Sequence, residues 1–137
     1  MLISKRYDQL GSDEVVLFHR LLATAGSDEF IGREYVTWIN SFDRFVLYFL
    51  GSAMVGFTRP FEMTFDHRVV HRSGTVYLLP EYRGSGIMFG ILKLFYKTHR
   101  PAVAWINESN LKSATLYGAL GFRVSSVQGM GSWWVLD

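Results

Sequence analysis

The chain has 137 residues, of which 49% are hydrophobic, 16% aromatic and 19% charged. This length and apolar content fit a single domain over residues 1–137. They exclude a disordered or fibrous protein, because the apolar surface can offset the entropy of the chain. The absence of cysteine excludes disulfides and thiolate zinc sites. With 14 Lys and Arg against 12 Asp and Glu, the net charge of +2 is too small to indicate nucleic-acid binding.

The positions of the charged residues bear on membranes and secretion. The longest uncharged stretch, residues 45–58, is interrupted by glycines and is shorter than the ~20 residues of a membrane-spanning helix. Charged residues near the first methionine stand where an export signal needs an apolar segment. We therefore expect no membrane partner, no export signal and a cytoplasmic location.

The first third of the sequence predicts a strand and two helices. Residues 2–7 suit a first strand. Ser12, followed by two acidic residues, is typical of the N-cap of a helix that runs to Gly26. Ser27 repeats this start signal before an apolar stripe at helical spacing, formed by Ile31, Tyr35, Trp38 and Ile39.

The middle of the sequence changes to the two-residue period of a sheet. The runs FVLYFL and MVGF, separated by Gly-Ser-Ala, predict two strands around a tight turn. Two registers fit residues 56–79. One is a long strand from about Arg68 to Leu79 with a bulge at Ser73 and Gly74, and the other is a hairpin that turns at those two residues.

The last third predicts a parallel crossover followed by a hairpin. Residues 75–79 suit a strand, residues 80–85 a turn, and residues 102–106 a second strand. The helix between them starts at Ile87, so the two strands should run parallel. Asn110 is typical of the N-cap of a short helix that stops at Gly121. Residues 122–127 and 132–136 then predict a closing hairpin.

The turn before the middle helix has the composition of a phosphate-binding loop. In the segment from Arg83 to Ile87, Gly84 and Gly86 let backbone amides converge at a helix N-terminus, where the dipole favours an anion. Arg83 could add a mobile positive charge. The segment lacks the Lys and Ser or Thr of a Walker loop and the third glycine of a Rossmann loop. Glycines in a turn can also serve the turn conformation alone.

Two motifs carry a family resemblance. One is Gln or Arg, two residues, Gly, one residue, and Gly or Ala; it is met from Arg83 to Ile87, with Met88 at the last position. The second is Asn, two residues, Ala or Ser, two residues, Leu-Tyr, three residues, and Gly-Phe. It is met by Asn110, Ser113, Leu116, Tyr117, Gly121 and Phe122. In this order the chain resembles, over residues 75–125, the GNAT superfamily of acyl-CoA-dependent N-acyltransferases.

The resemblance implies a fold and a co-substrate. The fold is α/β (α+β), with a mixed, mostly antiparallel sheet of six or seven strands, one splayed parallel pair and about four helices. The co-substrate is acetyl-CoA, which would enter where the two parallel strands part. It would lie against the backbone at the end of the strand that finishes at Leu79. The coenzyme-binding residues implied in this way are Leu78, Leu79, Arg83, Gly84, Ser85, Gly86, Ile87, Met88, Asn110, Ser113 and Tyr117.

The implied activity is transfer of an acetyl group from coenzyme A to a primary amine. The amine would attack the thioester directly, a backbone amide would stabilise the oxyanion, and Tyr117 would protonate the departing thiolate. The acceptor stays open between a small-molecule amine and an amine of a peptide or protein.

The sequence departs from the family at two positions. Met88 stands where relatives have Gly or Ala, and Arg72 stands where many carry a catalytic Glu. His71 is our candidate for relaying the proton instead. The alternatives are His67, Glu62, Glu81 or a chain of waters, and for Glu81 we favour a structural role. These departures leave a second hypothesis open, a non-catalytic module that keeps the fold and has lost the chemistry.

Tryptophan and histidine positions predict no further site. Trp38 and Trp105 suit core positions, whereas Trp133 and Trp134 must point to opposite faces of a sheet. One of this second pair could line the acceptor site or a homodimer interface. The spacing of the histidines fits no metal site. They are His19, His67, His71 and His99.

Overall fold

The computed structural model describes residues 1–28 and 42–137. The predicted second helix and its apolar stripe, Ile31, Tyr35, Trp38 and Ile39, lie outside the described residues. Three α-helices are described: α1, Ser12–Gly26; α2, Ile87–Tyr96; and α3, Leu111–Ala119. In the described part of the chain, no helix is both long and apolar enough to cross a membrane.

A sheet of seven strands has the order β1-β2-β3-β4-β5-β7-β6. The strands are β1, Leu2–Arg6; β2, Val46–Leu50; β3, Ala53–Phe65; β4, Arg68–Leu78; β5, Ala102–Asn107; β6, Arg123–Gln128; and β7, Gly131–Leu136. β4 and β5 run parallel, with His71 opposite Ala102. β1 with β2, β2 with β3, β5 with β7, and β6 with β7 are antiparallel. The predicted mixed sheet with one parallel pair is therefore confirmed.

The long-strand register of β4 is confirmed, and the hairpin at Ser73 and Gly74 is wrong. The chain turns instead at Asp66 and His67, whose φ angles of 51° and 65° are left-handed. Gly74 has a φ of 62° inside the strand, a backbone conformation that glycine adopts without strain. Ser73 and Gly74 therefore form a local irregularity inside the strand and not a turn of the chain.

The N-cap of α1 is Gly11, so the prediction of Ser12 was one residue late. The Glu14 carboxylate accepts a hydrogen bond from the Gly11 amide at 2.9 Å. It also lies 2.8 Å from Nζ of Lys5. The hydrogen bond from Lys5 is the main reason why the pKa of Glu14 lies below its ordinary value. Glu14 thus supplies the part of a capping box that satisfies the amide of the N-cap residue itself.

Two compact units are distinguished, Met1–Pro60 with Ser73–Ile91, and Phe61–Arg72 with Leu92–Asp137. Aromatic rings in contact form a large part of the core of the first unit. Phe18 meets Phe45 edge-on with centroids 5.1 Å apart, and Phe57 stacks on Tyr77 at 5.5 Å. These contacts hold α1 against β2, β3 and the last part of β4.

The second unit has a β-branched core next to an aromatic group. Val70, Val103 and Val135 are buried together. Trp105 is 40% exposed and meets Trp133 edge-on at 5.3 Å, so its predicted core position is wrong. The alternation of β5 places Trp105 on the same sheet face as the buried Val103, but at a less covered part of it.

A buried hydroxyl pair in the first unit makes a stability prediction. Tyr48 Oη and Thr58 Oγ1 are 3.0 Å apart and both residues are 0% exposed. Tyr48→Phe removes one partner and leaves the Thr58 hydroxyl buried, so we expect the free energy of unfolding to fall by about 1–2 kcal/mol in urea denaturation. Adding Thr58→Val should restore part of the loss. A double variant less stable than the additive sum would contradict this pairing.

Candidate functional site

The first unit carries the predicted phosphate loop directly after β4. Residues Pro80–Tyr82 form a single 3₁₀ turn, and α2 begins at Ile87. Between them Gly84 and Gly86 have φ angles of 79° and 82°. A Cβ atom added at either glycine would have no heavy atom of another described residue within 4 Å, its chain neighbours aside. The glycines therefore serve an unusual backbone path that borders open space.

The backbone amides of this loop, at residues 84–88, donate to no acceptor in the described part of the chain, residues 1–28 and 42–137. The Arg83 amide, by contrast, donates to the carbonyl of Pro80 at 3.2 Å. The Ser85 hydroxyl donates to the carbonyl of Tyr82 at 2.7 Å, which fixes the turn. Free amides at the start of a ten-residue helix give this loop the character of an anion site.

The Arg83 side chain fixes the loop to its surroundings. Its Nε donates to the carbonyl oxygen of Leu78 at 2.9 Å, and Nη2 lies 3.4 Å from Oδ2 of Asp28. The guanidinium carbon lies 5.4 Å from the centre of the Tyr77 ring. Burial raises the pKa of the Tyr77 phenol, and the Arg83 charge opposes this shift. Sequence reasoning saw Arg83 as a mobile charge and missed these structural contacts.

Arg83→Lys tests the structural role of this guanidinium. Lysine keeps the charge but lacks the planar fork that reaches Leu78 and Asp28 together. We expect the free energy of unfolding to fall by about 1 kcal/mol, measured by urea denaturation. Arg6→Lys is the matched control, because the Arg6 side chain pairs with the exposed Asp8 and should be nearly neutral. If the Arg83 variant is as stable as the wild type, the contacts of the guanidinium do not stabilise the fold, and only the positive charge of Arg83 remains as its contribution.

The two leucines at the end of β4 face opposite edges of the strand. The Leu79 amide donates to the carbonyl of Val55 in β3 at 2.9 Å. Because successive backbone groups in a strand alternate in direction, the amide and carbonyl of Leu78 point away from β3. Arg83 meets the Leu78 carbonyl on that side. Of the two predicted leucines, Leu78 therefore has the amide that is directed away from the β3 ladder.

A cavity of about 390 Å³ lies in the same unit, beside Leu79. Its walls come from α1, from the turn between β2 and β3, and from the segment after β4. Glu81, for which the sequence favoured a structural role, is one of the lining residues. Sequence reasoning did not find this cavity, because no single segment contributes more than a few of its residues.

The second unit carries the later motif on α3. Asn110 caps this helix, its Oδ1 accepting from the Ser113 amide at 3.0 Å, so the predicted cap is confirmed. Tyr117 is half-buried, and its ring meets Phe122 edge-on at 5.1 Å. The Tyr117 hydroxyl makes no hydrogen bond within the described residues. The coenzyme roles of Asn110, Ser113 and Tyr117 stay predictions.

His71 and Arg72 both have partners inside the second unit. Nδ1 of His71 lies 3.8 Å from Oε1 of Glu62, and its ring meets His99 edge-on at 5.4 Å. The Arg72 guanidinium lies over Phe61 at 5.4 Å and over Trp133 at 5.5 Å. His71 is near the beginning of β4, so a proton relay from it to the strand's other end would require a chain of waters or side chains.

Comparison with known proteins shows the fold. No family model and no curated protein matches the chain. A GNAT-family acetyltransferase from Bacillus cereus superposes with a TM-score of 0.66 and 15% identity, over 100% of this chain and 97% of that chain. The N-acetyltransferase PseH of Campylobacter jejuni, in complex with acetyl coenzyme A, gives 0.58 and 16% over 100% and 99%. PH1933 from Pyrococcus horikoshii gives 0.60 and 19% over 98% and 97%. The chain thus has the GNAT fold, as the resemblance predicted.

Proposed function

We propose that this protein transfers an acetyl group from acetyl-CoA to a primary amine. The observation that carries the proposal is the loop of residues 84–88, whose amides are free of hydrogen bonds to the described residues at the start of α2. The fold shared with acetyltransferases, one of them bound to acetyl coenzyme A, supports acyl transfer in general. Direct attack by the amine requires no nucleophile from the protein.

The loop would hold the diphosphate of the coenzyme. A diphosphate carries several acceptor oxygens, and amides near a helix N-terminus can donate to them while the helix dipole favours the negative charge. The open space beside Gly84 and Gly86 leaves room for the phosphates to approach the backbone. The Met88 side chain is half-buried, and its effect on coenzyme affinity is part of what the binding experiment measures.

The Leu78 amide is our choice for the oxyanion donor. The Leu79 amide already donates to Val55, whereas the Leu78 amide is directed away from β3. When the amine attacks, its nitrogen forms a bond to the carbonyl carbon and negative charge develops on the oxygen, which a fixed N–H stabilises. The C–S bond then breaks and restores the carbonyl.

Two protons complete the reaction. Tyr117 would donate its phenolic proton to the sulfur of the departing thiolate, which yields coenzyme A. The attacking nitrogen loses a proton, and His71 keeps its assignment from the sequence as the relay, acting through intervening waters.

Calorimetric titration with coenzyme A tests the proposal without knowledge of the acceptor. We expect saturable binding of coenzyme A and of acetyl-CoA, together with thermal stabilisation of the protein. Pantetheine, which lacks the diphosphate, should bind much more weakly. If coenzyme A gives neither heat nor stabilisation at millimolar concentration, the transferase proposal fails and the non-catalytic module stands. The placement of Arg72 between two aromatic rings is the observation that favours this second function.

A further inference from the structure

The cavity beside Leu79 combines an apolar wall with two opposite charges. It has a volume of about 390 Å³, near the lower end of the roughly 300–1,000 Å³ typical of small-molecule sites. A space of this volume suits a small amine. Its charged and larger apolar lining residues are Leu17, Arg20, Leu21, Met54, Leu79 and Glu81.

The two charges come from different elements of the first unit. Arg20 belongs to α1, and Glu81 belongs to the 3₁₀ turn after β4. Among residues 1–28 and 42–137, neither side chain forms an ion pair or a side-chain hydrogen bond. Leu21 and Met54, in contrast, are buried parts of the apolar core. The cavity thus offers one cation, one anion and an apolar surface to a ligand.

We infer that this cavity binds the acceptor as a free amino acid with an apolar side chain. Its ammonium would lie against Glu81, its carboxylate against Arg20, and its side chain against Leu17, Leu21 and Met54. The inference rests on the proposed function, because the amine held by Glu81 is the one to be acetylated once its ammonium has lost a proton to solvent. Glu81 comes three residues after Leu78, whose amide is the proposed oxyanion donor, so both residues lie at the same end of β4.

The charges also argue against other amines. A polyamine would place a second ammonium near Arg20, where the two positive charges repel each other. A simple alkylamine would leave Arg20 without an anion and would lose a charge-assisted pair. Glu81 and Arg20 together therefore favour a ligand with one ammonium and one carboxylate.

The substrate class is tested by measuring the release of the coenzyme A thiol from acetyl-CoA in the presence of each of four acceptors. The acceptors are L-leucine, L-leucinamide, 3-methylbutylamine and spermidine. We expect kcat/KM for leucine to exceed that for leucinamide by roughly tenfold or more, because leucinamide lacks the carboxylate. Arg20→Gln should remove this preference, mainly through KM. Lys97→Gln removes an exposed charge outside the cavity and should leave the preference intact.

Calorimetry with leucine and no coenzyme is the second arm. Wild-type protein should bind leucine, and Arg20→Gln should weaken the binding by roughly tenfold. If acetyl-CoA binds but leucine and leucinamide are acetylated equally well, the inference is wrong and the proposed function survives. A preference for spermidine over leucine would likewise overturn the inference and leave the proposed function standing. If leucine binds and acetyl-CoA does not, the proposed function fails while the cavity assignment stands.

Discussion

Gly86→Ala is expected to weaken the binding of coenzyme A by roughly tenfold or more while the protein stays folded. Gly86 has a φ of 82°, and a Cβ atom added there would meet no other atom within 4 Å. The new methyl group therefore clashes with no side chain of the described residues. It would stand in the space that we assign to the diphosphate, and it would disfavour the backbone angle that directs the amides outward. Calorimetric titration with coenzyme A measures the effect.

Gly129→Ala is the matched control for this change. Gly129 also has a left-handed φ, of 59°, and also borders open space with no atom within 4 Å of an added Cβ. It lies in the turn between β6 and β7. Both variants should lose about 1–2 kcal/mol of stability to the unfavourable backbone angle. Coenzyme affinity should fall for Gly86→Ala alone. If both variants lower coenzyme affinity equally, or if Gly86→Ala does not lower it, the phosphate site does not lie at Gly86.

The loop could be predicted from the sequence because all of its determinants are local. A strand, two glycines and a helix start within a few residues already define where backbone amides converge. The same local logic predicted the Asn110 cap, which the structure confirms. Arg83 was different, because its partner Asp28 is 55 positions away in the chain. Contacts of that range depend on how the elements pack, which no local pattern specifies.

The middle strands were ambiguous for a related reason. Apolar alternation determines which face a residue occupies, but the same alternation is compatible with a turn at Gly74 or at His67. The left-handed φ angles of Asp66 and His67 decide the matter in favour of the earlier turn. The cavity escaped prediction because Arg20 and Glu81 come together only after α1 and the end of β4 have packed. Exposure of Trp105 likewise depends on its neighbours and not on its own strand.

Tyr117→Phe should lower turnover by about 100-fold, the usual scale for the loss of a general acid. Coenzyme affinity should change by less than about threefold. The Tyr117 ring keeps its edge-on contact with Phe122 at 5.1 Å, and its hydroxyl has no hydrogen bond within the described residues. The substitution therefore removes a proton donor and very little packing. Thiol release gives kcat, and calorimetry gives the coenzyme affinity of the same preparation.

Tyr7→Phe is the matched control for Tyr117→Phe. It shows whether the loss of any tyrosine hydroxyl lowers turnover, or only the loss of the proposed general acid. Tyr7 is also an aromatic residue in edge-on contact, with Phe18 at 5.4 Å, but it belongs to the first unit and to no proposed site. Its variant should keep full turnover. Unchanged turnover of Tyr117→Phe would assign protonation of the thiolate to water. This outcome is chemically reasonable because a thiolate is already a good leaving group near neutral pH.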